Sequence, residues 1–126
     1  MKRQCSRFVI FGATLSHKKE GILFSAGEYS EDVHPVLDLS LGGLQFLSHQ
    51  SMKTDTSLSL KIFGPDGGFL LTMKGVVVWV SLNPEKSYSY KIGVQFNPYG
   101  GKKGYNPPEC HDIILGLERQ FSKEQA

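Results

Sequence analysis

Two short polar patterns carry the residue types best suited to recognition chemistry. Arg3 and Arg7 stand four apart, directly before the first apolar run, and Asp38-Leu39-Ser40-Leu41-Gly42-Gly43 separates two further apolar stretches. A guanidinium is a planar fork that matches phosphate oxygens bidentately. Ser40 can donate or accept a hydrogen bond at a ligand, or hold the turn. Gly43, with Gly42, lets the backbone approach a ligand without a Cβ in the way. Structural readings stand beside these. Asp and Ser fold side-chain oxygens back onto nearby N–H groups and Gly supplies positive φ, so the stretch also reads as a self-capped hairpin turn. The arginines also read as a solvated basic terminus.

Composition narrows the classes. A chain of 126 residues is one domain with room for a core. Its 40% hydrophobic and 21% charged content are ordinary for a soluble globular chain. A net charge of +2 is too small for bulk nucleic-acid binding. The basic residues cluster as Lys2/Arg3/Arg7, Lys18-Lys19 and Lys102-Lys103, which suits a local site for a small anion better than a DNA-length track. Cys5 and Cys110 form no C-x-x-C, and His17, His34, His49 and His111 are scattered, so no metal ligand set is expected. His111 adjoins Cys110, but neighbours on a helix point in different directions. No Ser/His/Asp ordering, G-x-S-x-G or P-loop is present. The N-terminus lacks a signal-peptide core and cleavage site, and no run is long enough to span a membrane.

The elements that must position these residues are mostly strands. Phe8–Leu15 reads as the first strand from its β-branched and aromatic content, followed by a charged turn over 16–21 and a strand or extended segment over 22–25. A polar loop over 26–35 leads to strands at Val36–Ser40 and Leu44–Ser48. Ser57–Phe63 alternates polar and apolar, Gly64-Pro65-Asp66-Gly67-Gly68 is the strongest turn signal, and Phe69–Val80 is a long strand bulged at Gly75. After a turn over 81–87, Tyr88–Phe96 alternates with Tyr88, Tyr90, Ile92, Val94 and Phe96 on one face. Residues 97–108, rich in Pro, Gly and Lys, read as a mobile connector or as a loop that covers a ligand or binds a partner. Residues 109–123 form an amphipathic helix through Cys110, Ile113/Ile114, Leu117 and Phe121, with charges that suit its dipole. Several short strands and one helix argue for an antiparallel barrel or sandwich, mainly β.

The pair R-x-x-x-R and D-x-S-x-x-G, with Arg7 and Asp38 31 positions apart, resembles the signature of the PilZ domain. Leu44-Gln45-Phe46, Gly75-Val76-Val77-Val78-Trp79 and Ile92-Gly93-Val94-Gln95-Phe96 extend the resemblance over about residues 2–97. It implies a six-stranded antiparallel β-barrel with a C-terminal helix, in one stand-alone domain over 1–126. Its parts are an arm at 1–7, the barrel at 8–96, a loop at 97–108 and the helix at 109–123. It also implies a bacterial, cytoplasmic, non-catalytic receptor for cyclic di-GMP that regulates motility, biofilm or related processes. Cyclic di-GMP is then the ligand, with no other cofactor and no metal.

Carried residue by residue, the ligand-binding set is Arg3, Arg7, Asp38, Ser40 and Gly43. Arginine matches a phosphate or the O6/N7 edge of guanine, and Asp38 accepts from guanine N1–H and N2–H₂. Secondary positions are Lys2, Gly42 and Trp79. A basic residue before the first arginine accompanies a stacked ligand pair in the family, and Lys2 leans that way. Trp79 reads as a barrel core or mouth residue, or as a stacking face for a base. An arm this short is expected to order on binding, at roughly 1–2 kcal/mol per residue fixed. An unidentified effector protein is the implied partner, with no DNA, no membrane insertion, and a monomer or ligand-linked dimer. The alternatives are a protein-interaction adaptor of the same fold that does not bind the nucleotide, and a generic single-strand nucleic-acid barrel.

Overall fold

A computed structural model describes residues 6–19, 29–30, 32–83 and 88–125. Lys2, Arg3 and Cys5, the segment 22–25 and most of the turn over 81–87 lie outside the described residues. Among the described residues, six strands and one helix follow in order: β1 (Thr14–Lys19), β2 (His34–Leu39), β3 (Gly43–Ser48), β4 (Ser57–Phe63), β5 (Phe69–Leu82), β6 (Tyr90–Phe96) and α1 (Pro108–Gln125). All pairings are antiparallel, and the strands close into a barrel in the order β1-β2-β3-β6-β5-β4. Closure leaves no open edge.

The inward residues follow from strand alternation. Leu44 and Phe46 of β3, Leu58, Leu60 and Ile62 of β4, Leu71, Met73 and Val77 of β5, and Ile92, Val94 and Phe96 of β6 are all buried. Cys110, Ile114 and Leu117 of α1 join the same cluster, with Phe121 packed against it. The helix therefore packs on the barrel, and its 3.6-residue stripe completes the core. Pro108 opens it at a position where a missing N–H costs nothing.

The first strand lies later than its composition suggests. The run Phe8–Leu15 is broken by a tight turn: Gly12 has φ 86° and Ala13 N–H donates to Ile10 C=O at 3.0 Å. Phe8, Ile10 and Ala13 are buried without being strand residues. β1 instead runs on through Ser16, His17, Lys18 and Lys19, residues that read as a charged turn. Lys18 is tolerated because it sits on the outer face, and Lys19 because it ends the strand at an exposed position beside the cavity that His17 also lines. Lys18 lies 4.9 Å from the centre of the Tyr29 ring, and Lys61 on the neighbouring strand 4.3 Å from it. An amphipathic strand was concealed by its charge, and a core segment by its resemblance to a strand. The bulge in β5 also differs: it falls between Val77 and Trp79, not at Gly75. Gly75 is instead where two strands close up, since a Cβ there would meet Gln95 O at 2.7 Å.

Three of the four scattered histidines come together. His17 and His34 stack at 4.8 Å, both against Phe46, and His49 lines the same cavity of about 370 Å³. No group of three potential ligands with metal-holding geometry occurs among the described residues. Burial, reinforced by His34 and Lys19, lowers the pKa of His17 from 6.5 to about 4. Burial likewise lowers that of His34, opposed by a hydrogen bond to the Leu47 backbone and by Asp32, while His49 adds to the lowering. The folded chain thus holds His17 neutral where the unfolded chain protonates it. Stability from this group is complete above about pH 6.5 and is lost as pH falls toward 4. Wild type is expected to lose about 5 °C more in melting temperature between pH 7 and pH 4.5 than His17→Gln. Parallel losses in thermal denaturation would show that carboxylate protonation alone governs the acid limb.

Candidate functional site

A bulge builds the acidic half of the site. Directly opposed residues of an antiparallel pair face the same side. Val36 opposes Phe46, Asp38 opposes Gln45, and Leu39 opposes Leu44, with the register shifting between Val36 and Asp38. Phe46 and Leu44 point inward, so Gln45 points outward, and Leu37 is the extra residue that turns Asp38 outward beside it. Leu39 then returns to the core. β5 repeats the device. Val77 opposes Val94 and faces in, Val78 is the extra residue, and Trp79 opposes Gly93 and faces out.

Because Gln45 also opposes Gly93 across β3 and β6, one outer row crosses four strands: Asp38, Gln45, Gly93, Trp79. A Cβ on Gly93 would lie 2.2 Å from Trp79 Cε2, so the indole lies directly over that glycine. Trp79 is 37% exposed, a surface residue rather than a core one. Arg7 completes the row from above. Phe8 and Leu39 exchange backbone hydrogen bonds, each 2.9 Å, which holds the end of the arm against β2. The Arg7 guanidinium donates to Asp38 Oδ1 at 3.0 Å. The other carboxylate oxygen, Oδ2, accepts from Gln45 Nε2 at 2.9 Å. Together Arg7, Ser40, Gly43, Gln45, Gly93 and Trp79 contribute to the lining of a cleft of about 310 Å³.

Ser40 and Gly43 act inside the turn. Ser40 is buried; its N–H donates to Gly43 C=O at 2.8 Å, its Oγ donates to the same carbonyl at 3.3 Å, and its Oγ accepts from Gly42 N–H at 3.1 Å. The hydroxyl holds the turn. Gly43 is not in the left-handed region; a Cβ there would meet Val94 O at 2.1 Å. The glycine is needed so that β3 and β6 can close, not for positive φ. Gly42 contributes its N–H to Ser40 and its C=O to Phe96 N–H at 2.9 Å.

Of the expected set, the structure brings together Arg7, Asp38, Ser40, Gly42, Gly43 and Trp79. Arg3 and Lys2 lie outside the described residues. Sequence reasoning missed Gln45 and Gly93 as members of the site. Both stood inside quoted strand motifs, and only the cross-strand register reveals them.

Residues 97–107 are bonded to this site. Tyr99 Oη donates to Leu41 C=O, inside the turn, at 2.7 Å. Asn106 is 1% exposed and acts as a surrogate strand residue: Oδ1 accepts from Lys74 N–H, and Nδ2 donates to the carbonyls of Lys74 and Asn97. Of the two readings of this loop, the mobile connector gives way to a braced structure.

An outward row with a carboxylate, an amide and an indole is thus met by an arginine over a D-x-S-x-x-G turn on a six-stranded barrel. The family model of the PilZ domain matches residues 2–102, and the chain belongs to that family. No curated protein matches the sequence.

Solved structures do match. The MrkH–c-di-GMP complex of K. pneumonia superposes with a TM-score of 0.68 at 18% identity, covering 99% of this chain and 53% of that one. The PilZ domain of Escherichia coli YcgR with c-di-GMP gives 0.67 at 12% identity, covering 99% and 95%. The Bacillus subtilis inhibitor of motility, MotI/DgrA, gives 0.63 at 17% identity, covering 98% and 53%. At these identities the likeness is one of fold, and this chain spans about half the length of MrkH and MotI. Gly93→Ala is expected to lift the single tryptophan off the sheet and red-shift its emission while the circular dichroism of the barrel persists. An unchanged emission spectrum would mean that the indole does not rest on Gly93.

Proposed function

We propose that this chain is a cyclic di-GMP receptor without catalysis, acting as an adaptor that changes its surface for a partner protein when the nucleotide binds. The observation that carries this reading is that Arg7, which lines the cleft together with Trp79, is paired with Asp38. The ligand's two phosphates and two guanines ask for a cationic fork, an acceptor for guanine N1–H and N2–H₂, and a flat face. Arg7, Asp38 and Trp79 supply these in turn. Ser40, Gly42 and Gly43 keep the turn in shape beneath them. Arg3 and Lys2 precede Arg7 in the arm and add cationic groups for phosphate.

In this scheme Arg7 leaves Asp38 for the ligand, and the freed carboxylate oxygen takes the base. Lys2 favours two stacked ligand molecules. The setting is a bacterial cytoplasm, the output is motility, biofilm formation or a related process, and the partner is a separate protein. The MrkH and YcgR structures are complexes with the same nucleotide, and MotI is an inhibitor of motility; these support the reading by fold.

Isothermal titration with cyclic di-GMP tests it. Wild type should bind, and Arg7→Ala and Asp38→Ala should each weaken binding by about tenfold to a hundredfold, the value of a charge-assisted hydrogen bond or two. A stoichiometry of two ligands per chain would agree with Lys2 as a two-ligand determinant. No heat with wild type would favour a protein adaptor of the same fold that does not bind the nucleotide.

A further inference from the structure

The two oxygens of Asp38 are held differently. Oδ1 accepts from Arg7, whose side chain is 43% exposed and reaches in from the arm. Oδ2 accepts from Gln45 Nε2 at 2.9 Å, a half-buried bond between residues directly opposed in paired strands. The first contact joins a solvated, long side chain and separates readily. The second is set by the register of β2 and β3 and by the bulge that turns Asp38 outward.

The geometry points to Gln45 as the residue that sets the guanine selectivity of the cleft by fixing the plane of the Asp38 carboxylate. The inference rests on the receptor reading of the same site. When Arg7 moves to the ligand, Oδ1 is released, but the bond from Gln45 keeps the carboxylate from rotating. A fixed carboxylate presents Oδ1 and the second lone pair of Oδ2 at a set spacing. Guanine offers two donors on one edge, N1–H and N2–H₂, and matches both. Hypoxanthine keeps N1–H and lacks the exocyclic amine, so it makes one bond and depends less on the plane. Gln45 is thus a positioning residue that acts through Asp38. Gly93, beside it in the row, leaves its outer side clear for the indole of Trp79.

The test compares ligands, not only variants. Wild type, Gln45→Leu and Gln45→Glu are titrated with cyclic di-GMP and with its inosine analogue, cyclic di-IMP, and each variant's melting curve is recorded. Leu removes the donor at similar volume; Glu removes it and places a like charge beside Asp38. Wild type should prefer cyclic di-GMP by about tenfold or more. Gln45→Leu should lose about tenfold for cyclic di-GMP but little for cyclic di-IMP, so that the preference falls to within about threefold; Gln45→Glu, whose charge also repels the phosphates of either ligand, should weaken both but show the same narrowed preference. Equal losses for both ligands would reduce Gln45 to a strand-pairing role and overturn the inference, as would unchanged affinities. Binding of neither ligand by folded wild type would remove the receptor reading itself and the inference with it, an outcome separate from the others because it appears before any variant is compared.

Discussion

Everything at the site depends on the parity of two strands. In a barrel this small each residue faces either the core or the surface, and a regular strand cannot present an inward residue and an outward one two positions apart. Val36 and Asp38 are two apart, as are Val77 and Trp79, and in each pair the first packs inward and the second faces out. One extra residue in each strand resolves the conflict. Without these bulges Asp38 would bring a carboxylate into the apolar core, at a cost no neighbour there could offset. The indole would lie inside a space already filled by Val77, Val94 and Ile92. The bulges therefore create the site and protect the core at once, and they align the two strands so that their outward residues fall on a single row.

The sequence disclosed the barrel through period-two runs at Ser57–Phe63 and Tyr88–Phe96, the latter paired from Tyr90 onward, and through the Gly64–Gly68 turn, where local chemistry and tertiary role agree. It disclosed Arg7 and Asp38 because their types and order are unusual together. It did not disclose Gln45 or Gly93, because nothing local marks either. Gln45 is a polar residue in an alternating strand, and its role exists only once Asp38 is opposite it. Gly93 means close approach in any strand, but whether backbone, ligand or an indole approaches is a matter of register. The first strand was misplaced for the same reason in reverse. Phe8–Leu15 has strand propensity, but Gly12 takes the chain through a turn that propensity does not see, while Lys18 and Lys19 obscure a strand whose pairing with β4 decides its conformation. Histidines far apart in sequence met in one cavity for the same topological reason.

The loop after β6 shows how the turn is joined to the rest of the molecule. A glycine-rich segment is costly to order, yet here a single buried asparagine satisfies the Lys74 N–H and C=O and the Asn97 C=O. That bracing holds Tyr99 where its hydroxyl reaches the Leu41 carbonyl, and its ring meets His111 edge-on at 5.3 Å near the start of α1. The D-x-S-x-x-G turn is therefore bonded on two sides: through Phe96 N–H to Gly42 C=O on the barrel, and through Tyr99 to the loop that leads into the helix.

The pairing of Arg7 with Asp38 also has a thermodynamic consequence. A half-exposed arginine that reaches a carboxylate from the solvent side gains about 0–1 kcal/mol, so opening it to admit an anion would cost little. Yet the pair keeps the guanidinium at the cleft and the carboxylate from facing solvent without a partner. Gln45 changes the balance by making the exchange one-sided. Of the two contacts on Asp38, the one that spans the arm and the barrel is weak, and the one within the barrel is built into the pairing of β2 and β3. On the proposed reading, a ligand that competes for Asp38 would meet resistance only from the side on which it arrives, and would find the carboxylate already oriented by Gln45.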